Sequence, residues 1–167
     1  MTIDPYSQLF ADEKEYGQKY KDHLFEQYKL YVEMADNISN RRSSANGFFL
    51  TVNTFLLSGL SVASGLQSLR SSFLLPIFGA MAGGLFCFSW ILTVRSYKGL
   101  NQTKFDLINR VESRLPVALF RTEWEILKTS QRKGQYRTLT QVENWVPKIF
   151  AFLYLFYAVA TIVLTLA

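Results

Sequence analysis

Cysteine and histidine are nearly missing from this 167-residue sequence, which has one of each, Cys87 and His23. A single cysteine closes no internal disulfide, so the chain does not resemble a disulfide-stapled secreted domain. One histidine and one cysteine also fall short of any familiar zinc ligand spacing within a chain. There is no Gly-rich phosphate loop, no HExxH and no GxSxG, and no metal, cofactor or catalytic site is expected. Glu123 and Glu125, two apart, diverge on a helix and read as charges favoured by a helix N-terminus rather than as an acid and base pair. His23 stands among charged residues, where a solvated or interhelical role is expected of it.

Charge is also missing, but only locally. No charged residue occurs in the 27 positions between Arg42 and Arg70, the 24 between Arg70 and Arg95, or the last 19 after Lys148. A bilayer core takes about 20 apolar residues of helix at ~1.5 Å each, so all three runs are long enough to cross it. The expected spans are near 47–66, 73–94 and 149–166. The first 45 residues are polar and show no cleavable signal, so the first span is expected to act as a retained anchor.

The basic residues set an orientation. Six lie in residues 1–45 and eleven in residues 95–148, against Arg70 alone between the first two spans. The positive-inside rule places both rich segments in the cytoplasm, with the N-terminus inside and Ala167 outside. Segment 1–45 carries net −2 and segment 95–148 net +6. An acidic arm beside a basic one is expected, with anionic lipid headgroups as the outlet for the excess. No nucleic-acid motif accompanies these charges, and no nucleic-acid partner is expected.

Periodicity describes the arms. Tyr16, Tyr20, Leu24, Tyr28, Tyr31, Ala35 and Ile38 recur at steps of three and four between charged residues, which is an amphipathic helix expected to run from about Asp12 into the first span. Tyr97, Leu100, Lys104, Ile108, Val111 and Leu115 continue the second span in the same rhythm as far as Pro116. The fold class is therefore all-α integral membrane: three transmembrane helices, the first two extended into a long cytoplasmic antiparallel hairpin. Its parts are an amphipathic helix over 1–45, a transmembrane hairpin over 46–94, a cytoplasmic helical segment over 95–148 and a third span over 149–167. Thr122-x-x-Glu125 reads as a capping box opening a short helix that stops at Gly134, and Thr140-x-x-Glu143 repeats the signal before the last span. Arg41, Arg42, Arg95, Trp145 and Lys148 are expected at the lipid interface, with Pro147 as a kink beside them.

Within the first span Gly47, Thr51, Thr54, Ser58, Ser61 and Gly65 form a small, hydroxylated seam, and Gly79 and Gly83 give the second span a small-xxx-small pattern. Helices approach closely along such seams, either inside one chain or between copies. Asn53 is the most polar side chain deep in a span. It needs a hydrogen-bonding partner there, as an interhelical clamp or as a pore-lining group.

The stretch Tyr31–Leu50 entering the first span, Leu100-Asn101-Gln102-Thr103-Lys104-Phe105 and Val142-Glu143-Asn144-Trp145-Val146-Pro147 resemble the RipA-type small bacterial inner-membrane proteins. That resemblance, covering about residues 28–155, implies a homo-oligomer, an octamer, in the bacterial cytoplasmic membrane, and carries no catalytic residues. Two readings stay open. One is a non-catalytic scaffold presenting cytoplasmic helices to an unidentified cytoplasmic or envelope protein, in envelope or stress adaptation. The other is an oligomeric channel for ions or small solutes.

Overall fold

The computed structural model describes residues 6–65, 74–132 and 139–166, and among them every regular element is a helix. In chain order they are α1 (Glu13–Tyr16), α2 (Tyr20–Gly65), α3 (Leu74–Glu112), α4 (Leu119–Arg132) and α5 (Leu139–Leu166). Three of them, α2, α3 and α5, are long and apolar enough to cross a membrane. With 46 and 39 residues, α2 and α3 measure about 69 and 58 Å at ~1.5 Å per residue, roughly twice a ~30 Å hydrocarbon core. A large part of each must stand outside the lipid.

Contacts between α2 and α3 run in opposite order along the two helices. Leu60 lies against Gly79, Asn53 bonds to Cys87, Asn46 to Trp90, Tyr28 to Glu112 and, just past the end of α3, Tyr20 to Arg114. The helices are antiparallel. The segment that joins them, with Arg70 and the ends of the expected spans at Leu66 and Phe73, lies outside the described residues, as do Gly134 and Ala167.

The buried row of α3 explains the pairing. Ala80, Gly83, Cys87, Trp90 and Val94 are buried at steps of three and four, the 3.5-residue repeat that keeps one stripe of a helix against a partner. Further out the stripe resumes at Ile108 and Glu112. On α2 the matching stripe buries Tyr20, Ala35, Asn53 and Leu60. Helix α3 is the middle element, with α2 along one side and α5 along another. Helix α4 leans on the outer part of α3, where the Phe105 and Phe120 rings lie 5.8 Å apart.

Helix α2 runs unbroken through residues 43–47 into the first span, as its periodicity predicts, but three local expectations are revised. The amphipathic helix does not start at Asp12, because Gly17 adopts φ 90° and breaks the chain direction. Asp12 caps only the four-residue α1, accepting from the amides of Lys14 at 2.7 Å and Glu15 at 3.4 Å. Thr122 and Glu125 do not form a capping box. Helix α4 begins at Leu119, the Thr122 hydroxyl donates back to the Ala118 carbonyl at 2.7 Å, and Glu125 sits 3.7 Å from Arg121. Leu100, expected on the apolar face, is half exposed, because the stripe passes through Tyr97 and Asn101 on either side of it.

Candidate functional site

Three polar nodes tie the helices together at successive levels. The deepest is built on Asn53, which is wholly buried on α2. Its amide donates to the Phe49 carbonyl one turn back at 2.8 Å, and its side-chain oxygen accepts from the Cys87 thiol of α3 at 3.3 Å. Its backbone carbonyl accepts from the Tyr154 hydroxyl of α5 at 3.1 Å. One residue thus joins all three long helices, and in an apolar surround each polar atom so satisfied avoids a cost of several kcal/mol. Gly83 makes room for this: a Cβ there would overlap the Tyr154 ring. One turn further on, the Tyr157 hydroxyl donates to the Leu60 carbonyl at 3.0 Å.

The second node lies where the charge-free runs end. Arg42 of α2 pairs with Glu143 near the start of α5, and both side chains are largely buried. Next to it the Trp90 indole N–H donates to the Asn46 side chain at 2.7 Å, while its ring stacks on Phe49 at 5.7 Å. Pro147, read as a kink, is buried inside a helix that continues through it.

The third node is at the far end of α3. Glu112 is 1% exposed, yet both carboxylate oxygens are used: one accepts from the Tyr28 hydroxyl at 2.9 Å and the Phe120 amide at 3.1 Å, the other from the Arg121 amide at 3.2 Å. It thereby caps the first turn of α4 from a residue outside that helix, where a negative charge also suits the helix dipole. Burial, then the hydrogen bond to Glu112, then its negative charge push the Tyr28 phenol up to about 12. Around this node Arg114 donates to the Tyr20 hydroxyl at 2.9 Å and lies over the Phe10 ring at 3.5 Å, Arg110 lies over Tyr6 at 3.6 Å, and Lys104 over Tyr31 at 4.1 Å. The contacts to Tyr6 and Phe10 fold the N-terminal segment back onto the end of α3 and the turn that follows it. His23 lies nearby, exposed and bonded through Nδ1 to the Tyr16 hydroxyl at 2.9 Å.

The small seam of α2 points elsewhere. Gly47, Thr51, Thr54, Ser58, Ser61 and Gly65 are all exposed. Thr54 and Ser61 turn their hydroxyls to their own helix, onto the Leu50 carbonyl at 2.8 Å and the Leu57 carbonyl at 2.9 Å. Gly79 and Gly83 of the second span instead pack within the chain, against Leu60 and Tyr154, whereas a Cβ at Gly84 would meet nothing. Of the residues expected at the lipid interface, Arg41, Arg95, Trp145 and Lys148 are exposed, with the Lys148 amine 5.3 Å from the Trp145 ring, whereas Arg42 is turned inward to Glu143. Among the described residues no three of His, Cys, Asp and Glu gather into a metal site.

Residues 25–163 match the octameric membrane protein family. The chain belongs to it. No curated protein and no solved structure matches. The match takes in most of all three long helices, with Asn53, Arg42, Glu143, Tyr28 and Glu112 inside it, and agrees with the octameric class that the sequence resemblance implied.

Glu112 and Tyr154 were not singled out by their sequence context, and Glu143 was read only as part of a capping box, whereas α5 already begins at Leu139 and Glu143 pairs with Arg42. Each had a signal. Glu112 falls on the apolar stripe four residues after Ile108, where a charge must be buried or break the pattern. Tyr154 and Tyr157 bring hydroxyls into a charge-free run, and those hydroxyls need acceptors. Glu143 is the last acid before the third run, opposite an arm that ends in Arg41-Arg42.

Proposed function

We propose that the protein is a non-catalytic, homo-octameric scaffold of the bacterial inner membrane. The paired α2 and α3 form a helical hairpin whose polar halves stand in the cytoplasm, with the N-terminus inside and the C-terminus outside. Residues 1–45 and 95–148 make up the cytoplasmic part, and residues 46–94 and 149–167 the membrane part. The observation that carries this reading is the divided use of small residues: α3 spends Gly79 and Gly83 inside the chain, whereas the seam of α2 is left open in a member of an octameric family. A helix face of small residues that its own chain does not cover favours contact with another copy.

The positive-inside rule supports the orientation, and Arg41, Arg95, Trp145 and Lys148 fit a headgroup layer at the ends of the spans. The three nodes use buried polar groups to tie helices to one another, and this favours a structural role, in which the cytoplasmic helices bind a partner from the cytoplasm or envelope during envelope or stress adaptation.

A second reading is favoured by the exposed hydroxyls of Thr51, Thr54, Ser58 and Ser61. Facing a central axis, they would line a passive path for ions or small solutes. Flux from liposomes carrying the purified complex separates the two: the scaffold predicts leakage equal to that of empty vesicles, and solute flux that scales with protein would replace it with the channel.

A further inference from the structure

We infer that the outward face of α2 seats a helix of a second copy of this chain, along the span and on into the aqueous arm. The inference rests on the homo-oligomeric reading above and adds the face through which copies meet. On this face Phe48, Thr51, Phe55, Ser58, Val62 and Gly65 follow one another at steps of three and four, and all are exposed. Every seventh residue from Phe48 is large and every seventh from Thr51 is small. Such alternation at a 3.5-residue period makes knobs and holes, the shape another helix fits.

The outward face of α3 shows what a lipid-facing row looks like in the same molecule. Phe78, Met81, Leu85, Phe88 and Leu92 are exposed at the same steps, but each is large and none leaves a hole. Beyond the charge-free run that row continues as Arg95, Gly99, Gln102 and Asp106, polar as soon as water is reached.

The α2 row behaves differently. Past Ser44, Arg41 and Asn37 it becomes apolar again at Met34 and Leu30, in the same heptad phase as Phe48 and Thr51, and these side chains are 45% and 59% exposed. They stand about 20–25 Å of helix before Gly47, among Lys29, Glu33 and Asp36, where acyl chains do not reach. Lipid accounts for an exposed phenylalanine at position 55, but not for Met34 and Leu30. A helix of a neighbouring copy running along the row covers both. Because the Thr54 and Ser61 hydroxyls beside the row are satisfied by their own helix, this face offers shape rather than unmet hydrogen bonds.

The test uses the full chain in native membranes, with p-benzoylphenylalanine placed at Met34, Phe55 or, on the lipid-facing row, Phe88. Ultraviolet light should give covalent dimers from the first two positions several-fold more efficiently than from the third. In parallel, Ser58→Phe, which fills a hole, should lower the mass of the complex, whereas Leu85→Phe should not. An intact complex whose Met34 and Phe55 sites cross-link no better than Phe88 overturns the inference and leaves the oligomeric reading standing. Monomers throughout overturn both.

Discussion

The Tyr154 hydroxyl of α5 donates to the Asn53 carbonyl of α2 at 3.1 Å, its ring seated on the bare backbone of Gly83 in α3. Tyr154 is fully buried and held at its tip, so its ring has nowhere to turn. Gly83→Ala should therefore destabilise the protein by about 1–3 kcal/mol through overpacking. Gly79→Ala should cost less, because the atoms it meets are the methyl ends of Leu60, which have rotamers to move into. Thermal unfolding of both variants in mild detergent checks the ranking. Equal losses would mean that Tyr154 does not hold α5 in place.

Glu112 satisfies three donors at once, so Glu112→Ala should cost more than an ordinary cap. Leaving buried donors unmet costs about 1–3 kcal/mol. The effect should be local, seen as faster hydrogen exchange at the Phe120 and Arg121 amides with the α5 amides unchanged.

Tyr28 should titrate late. Its folded pKa lies above that of the unfolded chain, so the unfolded state loses its proton first, and the stabilisation is complete below pH ~10 and lost as pH rises toward about 12. Absorbance near 295 nm should rise later in the wild type than in Glu112→Ala, and Tyr28→Phe should flatten the fall of stability over that window.

Apolar packing should outweigh exposed charge in the paired arms. Ile108 is 1% exposed, and Ile108→Ala should cost about 2–5 kcal/mol. Lys29 and Glu26 lie 2.6 Å apart on the surface, and removing either charge should change stability by no more than about 0–1 kcal/mol. Thermal scans of the detergent-solubilised complex give the order, and the reverse order would remove the apolar pairing of α2 with α3.

The parts of the fold legible in the sequence are those set by composition over long windows. Twenty-seven uncharged residues after Arg42 leave few alternatives to a span, and the recurrence from Tyr20 to Ile38 marks the buried stripe of α2 because every turn repeats it. Single-residue geometry was less legible. Thr122-x-x-Glu125 has the letters of a capping box, but α4 starts three residues earlier, and its amides are met by Glu112, which only the turn at 113–118 brings within reach. Arg42 was expected beside Arg41 at the lipid interface, yet only Arg41 is exposed. The two side chains point about 100° apart on a helix, and only one of them meets Glu143. Asn53 was visible as an amide needing partners, but nothing in the sequence named Cys87 or Tyr154.

Orientation is tested by a reporter fused after Ala167 and another inserted near Gly134. The first should behave as external and the second as cytoplasmic. The reverse would overturn the positive-inside placement of both arms.

The mass of the complex in native-like nanodiscs tests the central claim most directly. Eight copies of the 19.2 kDa chain predict a protein mass of about 154 kDa that persists on dilution. A species of one chain, stable across mild detergents and lipids, would contradict the octameric scaffold.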